Sequence, residues 1–221
     1  TNLQFLNADD SLKVIVVSSS QSGEGKSTVA ANLALAVAEL GKKVLLVDAD
    51  MRKPAQHLIW RQSNYEGLSN VLSGQCDQET ATTEIQPNLY LLTAGVVPPN
   101  PVVLIDSVQM STLIDQWSQD YGLVIIDAPP LTVAADAAIL GTQAGGLVFV
   151  LRPGVADKES VDYAQEIVAQ SKLKVLGMVL NGVDLDKQNS YNHYYYSQTA
   201  RSEEGNVGSK LLTGTTTNRT R

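Results

Sequence analysis

The apolar, β-branched run Val14-Ile15-Val16-Val17 stops at the small residues Ser18 to Gly25, passes through Lys26, Ser27 and Thr28, and becomes a stretch of helical periodicity over Val29 to Leu40. A strand that turns through small residues straight into a helix restricts the chain to few architectures, and one of them is a phosphate loop. A triphosphate must be met by backbone N–H groups, which requires residues without bulk at Ser22, Gly23 and Gly25, and it gains from the positive end of a helix. Lys26 is then placed to neutralise β- and γ-phosphate oxygens, and the Ser27 hydroxyl to ligate Mg²⁺. The pattern G-x-x-x-x-G-K-[ST] asks for Gly at position 20, where this chain has Ser20. Gly-Lys-Ser alone is a short pattern; the flanking strand and helix favour the nucleotide reading over a bland Gly-rich turn.

At 221 residues the chain holds one ample α/β domain with an appendage. Its net charge of −7 disfavours a nucleic-acid-binding surface, because phosphate backbones reward Lys and Arg. A single cysteine, Cys76, excludes an intrachain disulfide and a zinc cluster and fits a reducing, cytoplasmic setting. His57 and His193 lack metal-ligand spacing. No run approaches the roughly 20 apolar residues that span a bilayer. The start at Thr1 rather than Met leads us to expect a piece of a longer protein.

Further strands are expected at Lys43–Val47, Asn88–Thr93, Leu123–Ile126, Leu147–Leu151 and Val175–Leu180. Short helices are expected between Ala55 and Gly74, and longer ones over Val102–Trp117, Val133–Leu140 and Lys158–Gln170; Gly95 to Pro101 reads as a stiff loop. Strands alternating with helices predict an α/β fold of the P-loop NTPase type, a mostly parallel sheet with helices on both faces. Residues 1–183 are expected to form this domain. Residues 184–221, polar and without apolar periodicity, are expected to form a disordered tail.

Asp48 and Asp127 each follow a buried strand, and in a parallel sheet such strand ends share the edge where ligands bind. Both acids can therefore face the phosphate loop and hold Mg²⁺, directly or through water. An acid after an apolar run is also a common helix cap or turn former.

These residues resemble the bacterial tyrosine kinases of the deviant-Walker P-loop group. Ser22-Gly-Glu-Gly-Lys-Ser-Thr28 looks like Walker A, Leu45-Leu-Val-Asp-Ala-Asp-Met-Arg-Lys-Pro54 like Walker A′, and Val124-Ile-Ile-Asp-Ala-Pro-Pro130 like Walker B. The likeness implies ATP binding through Ser22, Gly23, Glu24, Gly25, Lys26, Ser27 and Thr28, with Asn181 at the adenine. It implies Mg²⁺ held by Ser27, Asp50 and Asp127, and Asp48 accepting the proton of the attacking tyrosine. Arg52 either steadies the transferring charge or contacts a neighbour, with an exposed, solvated arginine as the plain alternative; for Asn181 the alternative is a turn-forming Asn-Gly.

Four of the eight tyrosines, Tyr191, Tyr194, Tyr195 and Tyr196, cluster in the tail and are expected to be phosphoacceptors, modified mainly by another copy of the chain. The resemblance further implies a transmembrane activator, upstream or separate, an opposing phosphotyrosine phosphatase, and a place at the cytoplasmic face of the bacterial plasma membrane in surface-polysaccharide export. Thr1 to Phe5 look like the tail of the family's arginine-containing assembly helix, so a weakly associating chain is expected. The runner-up is a partitioning-type switch ATPase. Such proteins carry a signature lysine early in the loop, where this chain has Gln21.

Overall fold

The computed structural model describes residues 12–183, and every element named below belongs to the unit that ends at Asn181. The strands are β1 (Val14–Ser19), β2 (Val44–Asp48), β3 (Thr82–Gln86), β4 (Leu89–Leu92), β5 (Leu123–Asp127), β6 (Leu147–Leu151) and β7 (Val175–Leu180). They form one sheet in the order β3-β4-β2-β5-β1-β6-β7. All neighbouring pairs are parallel except β3 with β4.

The helices are α1 (Lys26–Glu39), α2 (Gln56–Ile59), α3 (Leu68–Leu72), α4 (Gln78–Ala81), α5 (Pro101–Ile105), α6 (Val108–Asp120), α7 (Asp136–Gln143) and α8 (Lys158–Gln170). Successive side chains of a strand point to opposite faces, so a strand buried on both sides feeds two cores. β1 does this: Val14 and Val16 join Met110, Ile114 and Trp117 of α6, whereas Ile15 and Val17 pack with Ala30, Ala31, Ala34 and Ala38 of α1. The small alanine face of α1 brings its N-terminus close to the ends of β1, β2 and β5, where the site lies. Among the described residues no helix is long and apolar enough to cross a membrane.

The mostly parallel α/β architecture agrees with the sequence reading, and four local features differ from it. The 102–117 helix is two helices, because Pro101 starts α5 and Ser107 caps α6 by accepting a hydrogen bond from the Met110 N–H at 3.2 Å. The helix expected over Val133–Leu140 begins at Asp136 instead. α1 begins earlier than its apolar period, at Lys26. Neither β3 nor α4 is anticipated: β3 is a partly exposed edge strand without an apolar run. Its hairpin to β4 turns on Pro87 and Asn88, and Asn88 takes φ 69, the pairing of Pro and a left-handed Asn that a tight turn favours. The tail and its tyrosines Tyr191, Tyr194, Tyr195 and Tyr196 lie outside the described residues.

Candidate active site at the phosphate loop

The loop from β1 to α1 is held from inside by Glu24. This side chain is fully buried; one carboxylate oxygen accepts from the Ser20 hydroxyl at 2.8 Å and the Gln21 N–H at 2.7 Å, and the other from the Arg152 N–H at 3.3 Å. Ser20, which departs from the glycine of the motif, is therefore a buried donor to Glu24. Gly25 caps α1 at φ 87, and a Cβ there would strike the Asn181 side-chain amide. That amide donates to the Glu24 carbonyl at 2.9 Å, so the end of β7 and the loop are in direct contact. Ser22, Gly23 and Thr28 are exposed on the loop and the first turn of α1.

Register brings the acids together. Asp48 and Asp127 sit opposite one another at the ends of β2 and β5. Lys26, itself buried, reaches Asp50 Oδ2 at 2.8 Å, Asp127 Oδ1 at 3.3 Å and the Ser27 hydroxyl at 3.1 Å. Asp48 is turned inward: Oδ2 accepts from the Ala55 and Gln56 N–H groups, each at 2.9 Å, and Oδ1 from the Asp50 N–H at 3.2 Å. Asp50 Oδ1 accepts from the Lys53 N–H at 3.0 Å, which folds the loop after β2 back on itself.

These contacts set the charge states. Burial, then the nearby charge of Asp127, pushes the Asp48 carboxyl up to about 7, against the Gln56 and Ala55 N–H groups and Lys26. Burial also raises Asp127, with Lys26, Ser27 and Gln56 opposing. For Lys26, burial works against the charge, but Asp127, Asp50 and Asp48 outweigh it and hold the ammonium above its ordinary value. The site is thus a buried cluster of three acids and one lysine.

That cluster bears on a metal. Among the described residues no group of three or more His, Cys, Asp or Glu side chains converges as an all-protein cage would need. Mg²⁺ in phosphate sites takes one or two carboxylates and completes its shell with phosphate and water. Ser27, Asp50 and Asp127 offer only hard oxygens and already surround one cation, the Lys26 ammonium, so the residues present fit Mg²⁺.

Arg52 reaches α7, where its Nε and Nη2 lie 3.3 and 3.5 Å from the carboxylate of Asp136. Asp136 is fully buried, whereas the Arg52 side chain is 36% exposed. Sequence reasoning missed Asp136, although an acid inside Val133-Ala-Ala-Asp-Ala-Ala-Ile139 signals a buried charge in need of a partner. It missed Arg152 and Gln56 as well, and for Gln56 no spacing gives a signal. Gln21, at the signature-lysine position, donates to the Val155 carbonyl and accepts from the Ser160 hydroxyl at 3.3 Å. Its side chain therefore belongs to the loop and helix after β6.

Residues 15–212 match the CobQ/CobB/MinD/ParA nucleotide binding domain. The chain is 42% identical over 195 residues to the tyrosine-protein kinase YwqD of Bacillus subtilis (strain 168), covering 88% of this chain and 82% of that protein. It is 36% identical over 196 residues to the putative tyrosine-protein kinase CapB of Staphylococcus aureus, covering 88% and 86%. The chimerical protein CapA2B2 has the same fold at a TM-score of 0.78 and 39% identity, over 82% of this chain and 80% of that one. The septum site-determining protein MinD of Pyrococcus horikoshii OT3, solved in complex with Mg-ADP, matches at a TM-score of 0.64 and 27% identity, over 76% and 70%.

Proposed function

From the premise that this chain belongs to the bacterial tyrosine-protein kinases, within the CobQ/CobB/MinD/ParA nucleotide-binding family, we propose that it transfers the γ-phosphoryl group of ATP to tyrosine hydroxyls. The observation that carries this reading is the convergence of Lys26, Asp48, Asp50 and Asp127 at the ends of neighbouring strands beside the phosphate loop. Phosphoryl transfer passes through a loose transition state, so positioning and charge neutralisation matter more than a strong base. Backbone N–H groups of Ser22 to Thr28 cradle the phosphates, and Lys26 leaves its acids to meet the β- and γ-oxygens. Ser27, Asp50 and Asp127 would hold Mg²⁺, which when bound would supply positive charge against the phosphates.

Asp48 receives the phenolic proton. Its elevated value suits that task near neutrality, since a base works best with a pKa close to the ambient pH. Arg52 keeps the loop after β2 in place through Asp136; among the described residues its Nη1 has no partner, which leaves it for the transferring group. Asn181, beside Gly25, serves the adenine end. The acceptors are Tyr191, Tyr194, Tyr195 and Tyr196 of another copy. Each phosphate adds roughly −1.5 to −2 charge, which favours release of a modified segment from an acidic site. A transmembrane activator, a phosphotyrosine phosphatase and surface-polysaccharide assembly at the cytoplasmic face of the membrane complete the reading. The engagement of Gln21 with Val155 and Ser160 favours it over a partitioning ATPase.

The test is incubation with ATP and Mg²⁺ followed by detection of phosphotyrosine. Full-length Lys26→Met, inactive alone, should be labelled when mixed with active chain ending at Gly182. Absence of phosphotyrosine in the unmutated chain defeats the kinase reading. Labelling of the unmutated chain at a concentration-independent rate, with none in the mixture, defeats transfer between copies.

A further inference from the structure

Gln56 opens α2 two residues beyond the Walker A′-like stretch that ends at Pro54, and its side chain lies within the site. It is 0% exposed. Its amide nitrogen donates to Asp127 Oδ2 at 2.8 Å and to the Ser27 carbonyl at 3.0 Å. Both partners are obligate acceptors when the acid is ionised, so chemistry fixes the amide orientation: NH₂ faces them and Oε1 faces the other way. That oxygen is buried and has no hydrogen-bond partner among the described residues. An unpaired buried amide oxygen is destabilising, and it sits on the same amide that touches two of the residues assigned to the phosphates and metal.

We propose that Gln56 is a positioning residue for the metal half of the site: its NH₂ group holds Asp127 and Ser27 in the places from which they would meet a cation. This rests on the reading of Ser27 and Asp127 as Mg²⁺ holders. It follows from the division of labour at Asp127. Oδ2 is taken by Gln56, while Oδ1 is turned toward Lys26 at 3.3 Å and is the oxygen left for a cation. Without the amide the carboxylate is free to rotate and share both oxygens with Lys26. Partners of this kind, which bind the ligand rather than the metal, typically cost 10–100-fold in metal affinity when removed.

The experiment uses the full chain and a fluorescent ADP analogue, titrated with MgCl₂ and, separately, in EDTA. Gln56→Met, close in volume but unable to hydrogen-bond through its tip, should need roughly 10–100-fold more Mg²⁺ to reach half of the metal-dependent gain in ADP affinity. Its ADP affinity in EDTA should remain within about twofold of the unmutated chain. A folded Gln56→Met with an unchanged Mg²⁺ midpoint overturns the proposal. So does an equal loss with and without metal, which would make Gln56 a support of the loop through Ser27 alone.

Should Gln56→Met not fold, the unmutated chain still decides. Adding Mg²⁺ to the ADP-bound protein should shift the side-chain amide resonances of Gln56, and Mn²⁺ should broaden them; resonances that ignore both metals refute the assignment. None of these readings requires phosphoryl transfer. Failure of tyrosine labelling with an intact Gln56 effect removes the kinase reading and leaves this one standing. ADP binding that is indifferent to Mg²⁺ in the unmutated chain removes the metal site and this proposal together.

Discussion

Replacing Asp48 by Asn probes the charge balance of the site without relying on activity. Asp48 is fully buried, and burial with the charge of Asp127 raises its carboxyl from 3.8 to about 7. In the unfolded chain the acid returns to its ordinary range. Between these two values the folded chain holds a proton that the unfolded chain has released, so stability falls as the pH rises through this window and levels off above it. At about 1.4 kcal/mol per pH unit, the interval corresponds to roughly 4 kcal/mol. Asn cannot ionise, but it has one acceptor oxygen where Asp48 takes N–H groups from Asp50, Ala55 and Gln56. A lost acceptor costs about 1–3 kcal/mol. Asp48→Asn should therefore be the less stable protein near about pH 4.5 and the more stable one near about pH 8. Urea unfolding across that range, in EDTA and without nucleotide, measures the difference. A gap between the two proteins that stays constant to within about 0.5 kcal/mol would refute the reasoning.

Three further outcomes are expected. Arg52→Met strands a fully buried carboxylate and should cost about 3 kcal/mol or more in urea unfolding, whereas Asp136→Asn leaves a partly exposed arginine that reaches water and should cost about 1 kcal/mol; equal losses would mean that the pair does not carry the asymmetry of its burial. Gly25→Ala forces a side chain into the left-handed region and against Asn181, so ADP binding by calorimetry should disappear with a stability loss of about 1–3 kcal/mol, and unimpaired binding would contradict the contact. Glu24→Gln replaces an acceptor of three donors by a group with one oxygen. It should lower the melting temperature at a cost of about 1–3 kcal/mol and weaken ADP binding, and an unchanged melting temperature would count against Glu24 as the anchor.

What the sequence displays is what local chemistry repeats. Val14 to Val17, Lys43 to Val47 and Leu123 to Ile126 are continuous apolar runs because strands covered on both faces must be so, and small residues between β1 and α1 leave only a phosphate loop or a tight turn. β3 escaped because an edge strand half in water needs no such run, and Thr82 to Gln86 carry none. Ser107 is a capping residue type, but the continuous helical period over Val102–Trp117 masks the break there. Within the site, Asp48 and Asp127 are visible because their places at strand ends are generic, Lys26 because it closes the phosphate loop, and Asp50 through the family resemblance. Gln56 and Arg152 are not, since their roles arise from tertiary contacts, such as a side-chain amide against Asp127 and a backbone N–H against Glu24. Asp136 lies between these cases: its apolar surroundings announce a buried charge, but only the fold tells that Arg52 answers it.

The anchoring of the phosphate loop has a consequence for its motion. Besides Glu24, the loop is tied to the segment after β5, where the Leu131 N–H donates to the Ser19 carbonyl at 2.9 Å and the Thr132 hydroxyl to the Ser20 carbonyl at 2.7 Å. It is tied also to the segment after β6 through Arg152, Val155 and Ser160, and to the end of β7 through Asn181. A loop bonded to three strand ends cannot open by itself. The amide protons of Gln21 and Arg152 should then exchange with solvent only through opening events that take the sheet edge with them, at rates closer to those of β1 than to those of a surface turn. Nucleotide entering such a loop loses little to ordering it.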